Sequence, residues 1–195
     1  MGFVRIVGGA LRGRRLSVPD RGVRPTSERT REAIFDILGP RLVPGARVLD
    51  LYAGTGALGI EAMSRGAASA DFVENRPEIA RRLAQNLRGL GFGDETRVHE
   101  ADLARGELPP HLGGPWRLIF LDPPYDGDDG ARWVEALAQS SRLEPGGILV
   151  YERRKGADAP LPSAFTLATE RTYGEATVAF YRAGGPPGAP GEGEP

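Results

Sequence analysis

The stretch Arg47-Val48-Leu49-Asp50-Leu51-Tyr52-Ala53-Gly54-Thr55-Gly56-Ala57-Leu58-Gly59 decides the fold. Its apolar run ends on an acid, and Gly54, Gly56 and Gly59 then spell G-x-G-x-x-G. That order predicts a buried strand, a tight turn and a helix, with the ligand at the carboxyl end of the strand. Taken alone the glycines suit a dinucleotide. Asp50, four residues before the first glycine, does not, because a carboxylate there would repel a pyrophosphate. The same carboxylate suits an ammonium group, which S-adenosylmethionine carries beside its sulfonium. The loop of Tyr52, Ala53, Gly54, Thr55 and Gly56 is therefore expected to hold a methyl donor. Glu74, ending the next apolar run, is placed to take the two ribose hydroxyls.

Working outward, strands and helices alternate. Residues 71–74, 96–100, 117–122 and 148–152 read as further strands, with helices at 77–90 and 131–140 between them. Residues 165–169 and 176–181 read as closing strands. The expectation is an α/β, Rossmann-like domain: a seven-stranded, mostly parallel sheet, its last strand antiparallel, with helices on both faces. Upstream, residues 3–7 and 14–18 read as a β-hairpin. Thr26 or Ser27 is expected to cap a helix running to Leu38. The predicted organisation is a basic hairpin arm over 1–25, a body over 26–183 and a disordered Gly/Pro tail over 184–195.

Composition narrows the chemistry. The 195 residues include no cysteine and two histidines, His99 and His111, in unrelated sequence contexts, so no disulfide, thiolate nucleophile or Cys/His metal site is expected. No apolar run reaches the roughly 18 residues of a membrane span, and Arg5 interrupts the N-terminal apolar stretch, so a cytoplasmic protein is expected. The net charge of −1 hides an asymmetry: eight arginines against Asp20 and Glu28 make residues 1–31 net +6, and the remainder is net −7. A basic arm on an acidic body points to a polyanion. Arg12, Arg14, Arg15 and Arg24 are the candidate phosphate contacts.

Asp122-Pro123-Pro124-Tyr125 follows the apolar run RLIFLD. Two prolines make a rigid ledge with outward carbonyls. Asp122 and the Pro123 carbonyl can each accept one hydrogen of an exocyclic amine while Tyr125 stacks on the attached ring. Such acceptors favour a pyramidal nitrogen, whose lone pair is then available to attack a methyl group. Trp116 and Trp133 read as packing residues, Tyr173 and Gly174 as turn and core residues, and neither histidine is given a chemical role.

The Gly loop together with the Asp-Pro-Pro-Tyr ledge resembles the class I methyltransferases that modify exocyclic amines of nucleic-acid bases. With Arg5-Ile6-Val7-Gly8-Gly9, Arg12-Gly13-Arg14, Arg24-Pro25-Thr26 and Ala57-Leu58-Gly59-Ile60-Glu61-Ala62, the chain resembles the RsmD family over residues 3–182. The resemblance implies transfer of methyl from S-adenosylmethionine to the N2 amine of one guanine in small-subunit ribosomal RNA. It implies Asp102 near the donor's adenine and a protein-bound ribosomal particle as substrate; the reaction needs no metal, and the oligomeric state is left open with a monomer preferred. An adenine-N6 methyltransferase on DNA or RNA is the nearest alternative, since the ledge serves that amine equally. An NAD-dependent oxidoreductase and a non-catalytic RNA-binding assembly factor are the others.

Overall fold

The computed structural model describes residues 2–18, 26–104, 107–124 and 129–184. Arg24, Tyr125, the arm–body boundary at residue 25 and the tail beyond Gly184 lie outside these residues. The hairpin strands are β1 (Gly2–Arg5) and β2 (Arg15–Val18). The body runs α1 (Glu28–Leu42), β3 (Arg47–Leu51), α2 (Ala57–Ser64), β4 (Ser69–Glu74) and α3 (Pro77–Leu90). It continues with β5 (Thr96–Glu100), β6 (Trp116–Leu121), α4 (Asp129–Ala138), β7 (Leu143–Arg154), β8 (Phe165–Tyr173) and β9 (Ala176–Ala183).

The seven strands of the body lie in the order β5-β4-β3-β6-β7-β9-β8, and β9 alone runs against the rest. The expected seven-stranded sheet is present, although β7 is much longer than the five residues read from sequence. The order reverses between β3 and β6, which is the crevice where open α/β sheets bind ligands. Apolar side chains pack both faces. Val48, Phe72, Leu118 and Phe120 belong to one core cluster, and Leu49, Val73, Ile119, Trp116 and Trp133 to the other. Both tryptophans are buried, as packing residues should be.

The arm is bolted to the body. Val4, Ile6, Leu16 and Val18 join the same cluster as β3 and α2. Buried Glu61 of α2 accepts the Val7 N–H at 2.9 Å and pairs with Arg65 Nε at 3.0 Å. Ser64 donates to the Gly8 carbonyl and accepts from the Leu11 N–H. Gly9, at φ +73°, lies so close to the Ser64 carbonyl that a Cβ would sit 1.9 Å from it, so no other residue fits. Arg31, 1% exposed, is one of the eight arginines of the basic segment, yet it is structural: its guanidinium donates to the carbonyls of Thr26 and Arg5. Arg5 itself pairs with Glu28 at 2.7 Å. Among the described hairpin residues, the exposed arginines besides the paired Arg5 are Arg12, Arg14 and Arg15, with Arg14 also donating to the Gly89 carbonyl at 3.0 Å.

Candidate active site

Ser27, not Thr26, caps α1: its Oγ accepts the Thr30 N–H at 3.1 Å. Thr26 is thereby released for another task, and its hydroxyl donates to Asp122 Oδ2 at 3.2 Å. Both residues line a cavity of about 610 Å³ that runs along the carboxyl ends of the central strands. Asp50, Tyr52, Ala53, Gly54, Thr55, Glu74 and Asp102 line the side where the sequence leads to expect the donor, and Asp122, Pro123 and Pro124 the side expected to take the target. The cavity is large enough for a small-molecule ligand.

On the donor side the main chain does most of the positioning. Asp50 is the penultimate residue of β3, and its Oδ2 accepts the Gly59 N–H in the first turn of α2 at 2.9 Å. Burial pushes its carboxyl up to about 7, with the charge of Glu74 adding to the rise and the Gly59 bond opposing it. Glu74 is also buried; its Oε2 accepts the Gly54 N–H at 2.9 Å, and its Oε1 accepts from the backbone and Nε of Arg76, each at 3.0 Å. Tyr52 sits at φ +57°, a left-handed conformation that costs a non-glycine residue about 1–3 kcal/mol. Its hydroxyl is engaged by Trp133 Nε1 at 3.2 Å, and Trp133 also donates to the Leu103 carbonyl. The strained turn swings the chain from β3 into the loop. Asp102, exposed at the rim, accepts the Ala104 N–H at 2.9 Å.

Gly56 is placed differently from the rest of the loop. It does not line the cavity; a Cβ there would meet Leu83 at 2.3 Å, with Ile60 and Phe72 at 3.3 Å. Its φ of +73° caps α2, so its role is turning and core packing. Gly54, at φ +51°, is the loop glycine that faces the ligand space. The sulfonium donor's chemistry suits what is present: an enclosed acid raised by burial gains from an ammonium partner, and Glu74 retains acceptor capacity for hydroxyls.

The target side holds Asp122 just beyond β6. Enclosure, and after it the charge of Glu152, pushes its carboxyl well above the usual carboxylate range; the Thr26 hydroxyl pulls the other way. Sequence reasoning overlooked Thr26, Glu152, Tyr173, Glu175 and Arg76 as cavity residues. Tyr173 belongs to the wall as well as packing on the core. The histidines are also not unrelated: His99 Nδ1 lies 3.3 Å from His111 Nε2, and His99 Nε2 lies 2.9 Å from Asp71 Oδ1. They sit along β5 and the segment before β6, and neither lines the cavity.

A family model described as "Conserved hypothetical protein 95" matches residues 4–182. The ribosomal RNA small subunit methyltransferase D of Escherichia coli (strain K12) is 33% identical over 183 residues, covering 93% of this chain and 90% of its own. The protein of the same name from Haemophilus influenzae is 32% identical and covers 93% and 94%. Among solved structures, the Escherichia coli protein yhhF aligns with a TM-score of 0.83 at 32% identity, over 94% of this chain and 99% of that one. The sheet order, the acid-tipped strands around one cavity and these matches agree: the chain belongs to the Conserved hypothetical protein 95 family, the RsmD family of S-adenosylmethionine-dependent methyltransferases.

Proposed function

We propose that the chain methylates the exocyclic N2 amine of a guanine in small-subunit ribosomal RNA. The observation that carries this reading is Asp122, held by Thr26 in the same cavity as the donor-side acids Asp50 and Glu74. Bound S-adenosylmethionine supplies an electrophilic methyl group on a sulfonium that leaves as a neutral thioether. Asp50 takes the donor's ammonium end, Glu74 its ribose hydroxyls and Asp102 the adenine amine. The guanine leaves its stack to enter the target side, as base-modifying enzymes require. Asp122 and the Pro123 carbonyl accept the two amine hydrogens, with Tyr125 on the ring. The nitrogen lone pair then points at the methyl; as the N–C bond forms, the amine's extra proton passes to Asp122. Its raised affinity for protons suits it to that step. Positioning supplies most of the acceleration, worth about 7–11 kcal/mol in well-oriented reactions.

The basic hairpin, carrying Arg12, Arg14 and Arg15, is the candidate grip on phosphate, with Arg24 beside it in sequence. The proposed substrate is the small subunit or an assembly intermediate in the cytoplasm, bound by a monomer. No described helix is long and apolar enough to cross a membrane. The family and its named relatives favour ribosomal RNA over the adenine-N6 alternative. The deciding experiment is to treat small subunits from a strain lacking this activity with the protein and labelled donor. Mass mapping of the nucleosides is expected to give a single N2-methylguanosine. N6-methyladenosine instead, or no labelled base, overturns the reading.

A further inference from the structure

In the sheet, β6 and β7 run parallel with Leu121 paired to Tyr151. The residues that follow, Asp122 and Glu152, therefore stand beside each other where β6 ends. Both line the cavity. Glu152 is 8% exposed, and its charge is felt by Asp122 more strongly than any other group's. Two enclosed carboxylates side by side repel each other and are poorly solvated. A ligand that brings adjacent N–H donors between them offsets that repulsion. Transfer to an amine needs only Asp122 and one further acceptor, so the mechanism leaves the second acid without a task.

We infer that Glu152 accepts the N1–H of the target guanine while Asp122 holds the neighbouring N2 amine, so that the pair selects guanine over the other bases with exocyclic amines. The chemistry follows from the bases. Beside its amine, guanine has a ring N–H donor. Adenine N6 and cytosine N4 are flanked by a ring nitrogen lone pair, which a carboxylate at the same position repels. Asp122 and the ledge serve any of the three amines; Glu152 rewards one and penalises two. A hydrogen bond to a charged acceptor is worth about tenfold to a hundredfold, and a facing lone pair adds to the penalty for the wrong base. The inference rests on the guanine-N2 reading and extends it to the choice of base.

The test uses 2-aminopurine riboside, which keeps the N2 amine but has a lone pair at N1. Small subunits are reconstituted on RNA bearing guanosine or 2-aminopurine at the position found by mapping, and methyl transfer rates are compared for wild type and Glu152→Gln. Wild type is expected to prefer guanosine by about a hundredfold. In Glu152→Gln the preference is expected to fall to within about threefold, because the carboxamide can donate to N1 as readily as it accepts from N1–H. Taking the ratio within each protein cancels any loss of folded enzyme. Glu152→Asp, which withdraws the charge by one carbon, serves as a second variant should Gln abolish folding, with an expected tenfold fall in preference. A wild type indifferent to the substitution, or variants that keep its full preference, overturn the role of Glu152. Failure of wild type to form N2-methylguanosine on the guanosine particle is a different result: it removes the guanine-N2 reading and this inference with it.

Discussion

The two ends of the cavity solve one problem, keeping acids enclosed, in different ways. At the donor end Asp50 and Glu74 are held by backbone N–H groups of Gly59, Gly54 and Arg76. At the target end Asp122 is held by the side chain of Thr26 and crowded by the side chain of Glu152. Short of proline, no substitution removes a main-chain donor, so the donor end depends on loop conformation. The target end depends on side-chain identity, so single replacements there are expected to change activity without disturbing the loop.

Separate perturbations distinguish the two ends, and Asp122→Ala should have the largest effect. It is expected to cost about 10²–10³ in single-turnover rate, with donor affinity by calorimetry unchanged. Activity within a few-fold of wild type would remove Asp122 from the reaction. Gly54→Val attacks the other end through the loop: φ of +51° strains a β-branched residue, and its side chain enters ligand space. Donor affinity should fall about a hundredfold, while RNA binding by filter assay stays intact.

Replacing Arg12, Arg14 and Arg15 together with Gln should leave donor affinity alone and flatten the slope of log K against log salt by roughly 2–3. Parallel lines for the two proteins would mean that the hairpin does not touch phosphate. The Asp50 carboxyl, raised from 3.8 to about 7, sets a pH effect. Because the folded state holds that proton more tightly than the unfolded chain, ligand-free stability falls as pH rises from about 4 to 7. If Asp50 takes the donor's ammonium as proposed, that contact needs the ionised form, so affinity should drop about tenfold for each pH unit below 7. A flat calorimetric profile between pH 5.5 and 8 would separate Asp50 from the ammonium. Thr26→Val is the smallest: kcat lower by about three- to tenfold, KM unchanged, and recovery in Thr26→Ser. Equal loss in the Ser variant would show that packing, not the hydroxyl, matters there.

The donor end was legible in sequence because its signal is local: an apolar run, an acid and glycines within 13 residues. Even there the pattern could not tell Gly54, which faces the cavity, from Gly56, which faces Leu83 and Phe72. Both have positive φ, and only the packing around them differs. The target end was half legible. Asp122 announced itself through the prolines, whereas Glu152 ends an apolar run like many others and gains meaning only from the pairing of Leu121 with Tyr151. Thr26 is one of two capping candidates in the sequence, which cannot say which of two adjacent hydroxyls turns inward. Arg31 looked like part of a basic patch, because charge counted along a chain ignores burial. His99 and His111 meet across 12 residues of sequence that bring them together only in three dimensions.

The way the hairpin is fastened bears on how such proteins can be recombined. Residues 2–18 have the look of a cassette that could be cut out and spliced onto another methyltransferase. The fasteners are not in the cassette. Glu61 and Ser64 belong to α2, and Arg31, which ties the Arg5 carbonyl to that of Thr26, belongs to α1. A host without them would bury the Val7 N–H and the Arg5 carbonyl unanswered, and a recipient stripped of its own hairpin would leave Arg31 enclosed with half its partners gone. The smallest transplantable piece is thus the hairpin with the first turn of α1 and one face of α2, which already reaches Thr26 and, through its hydroxyl, Asp122.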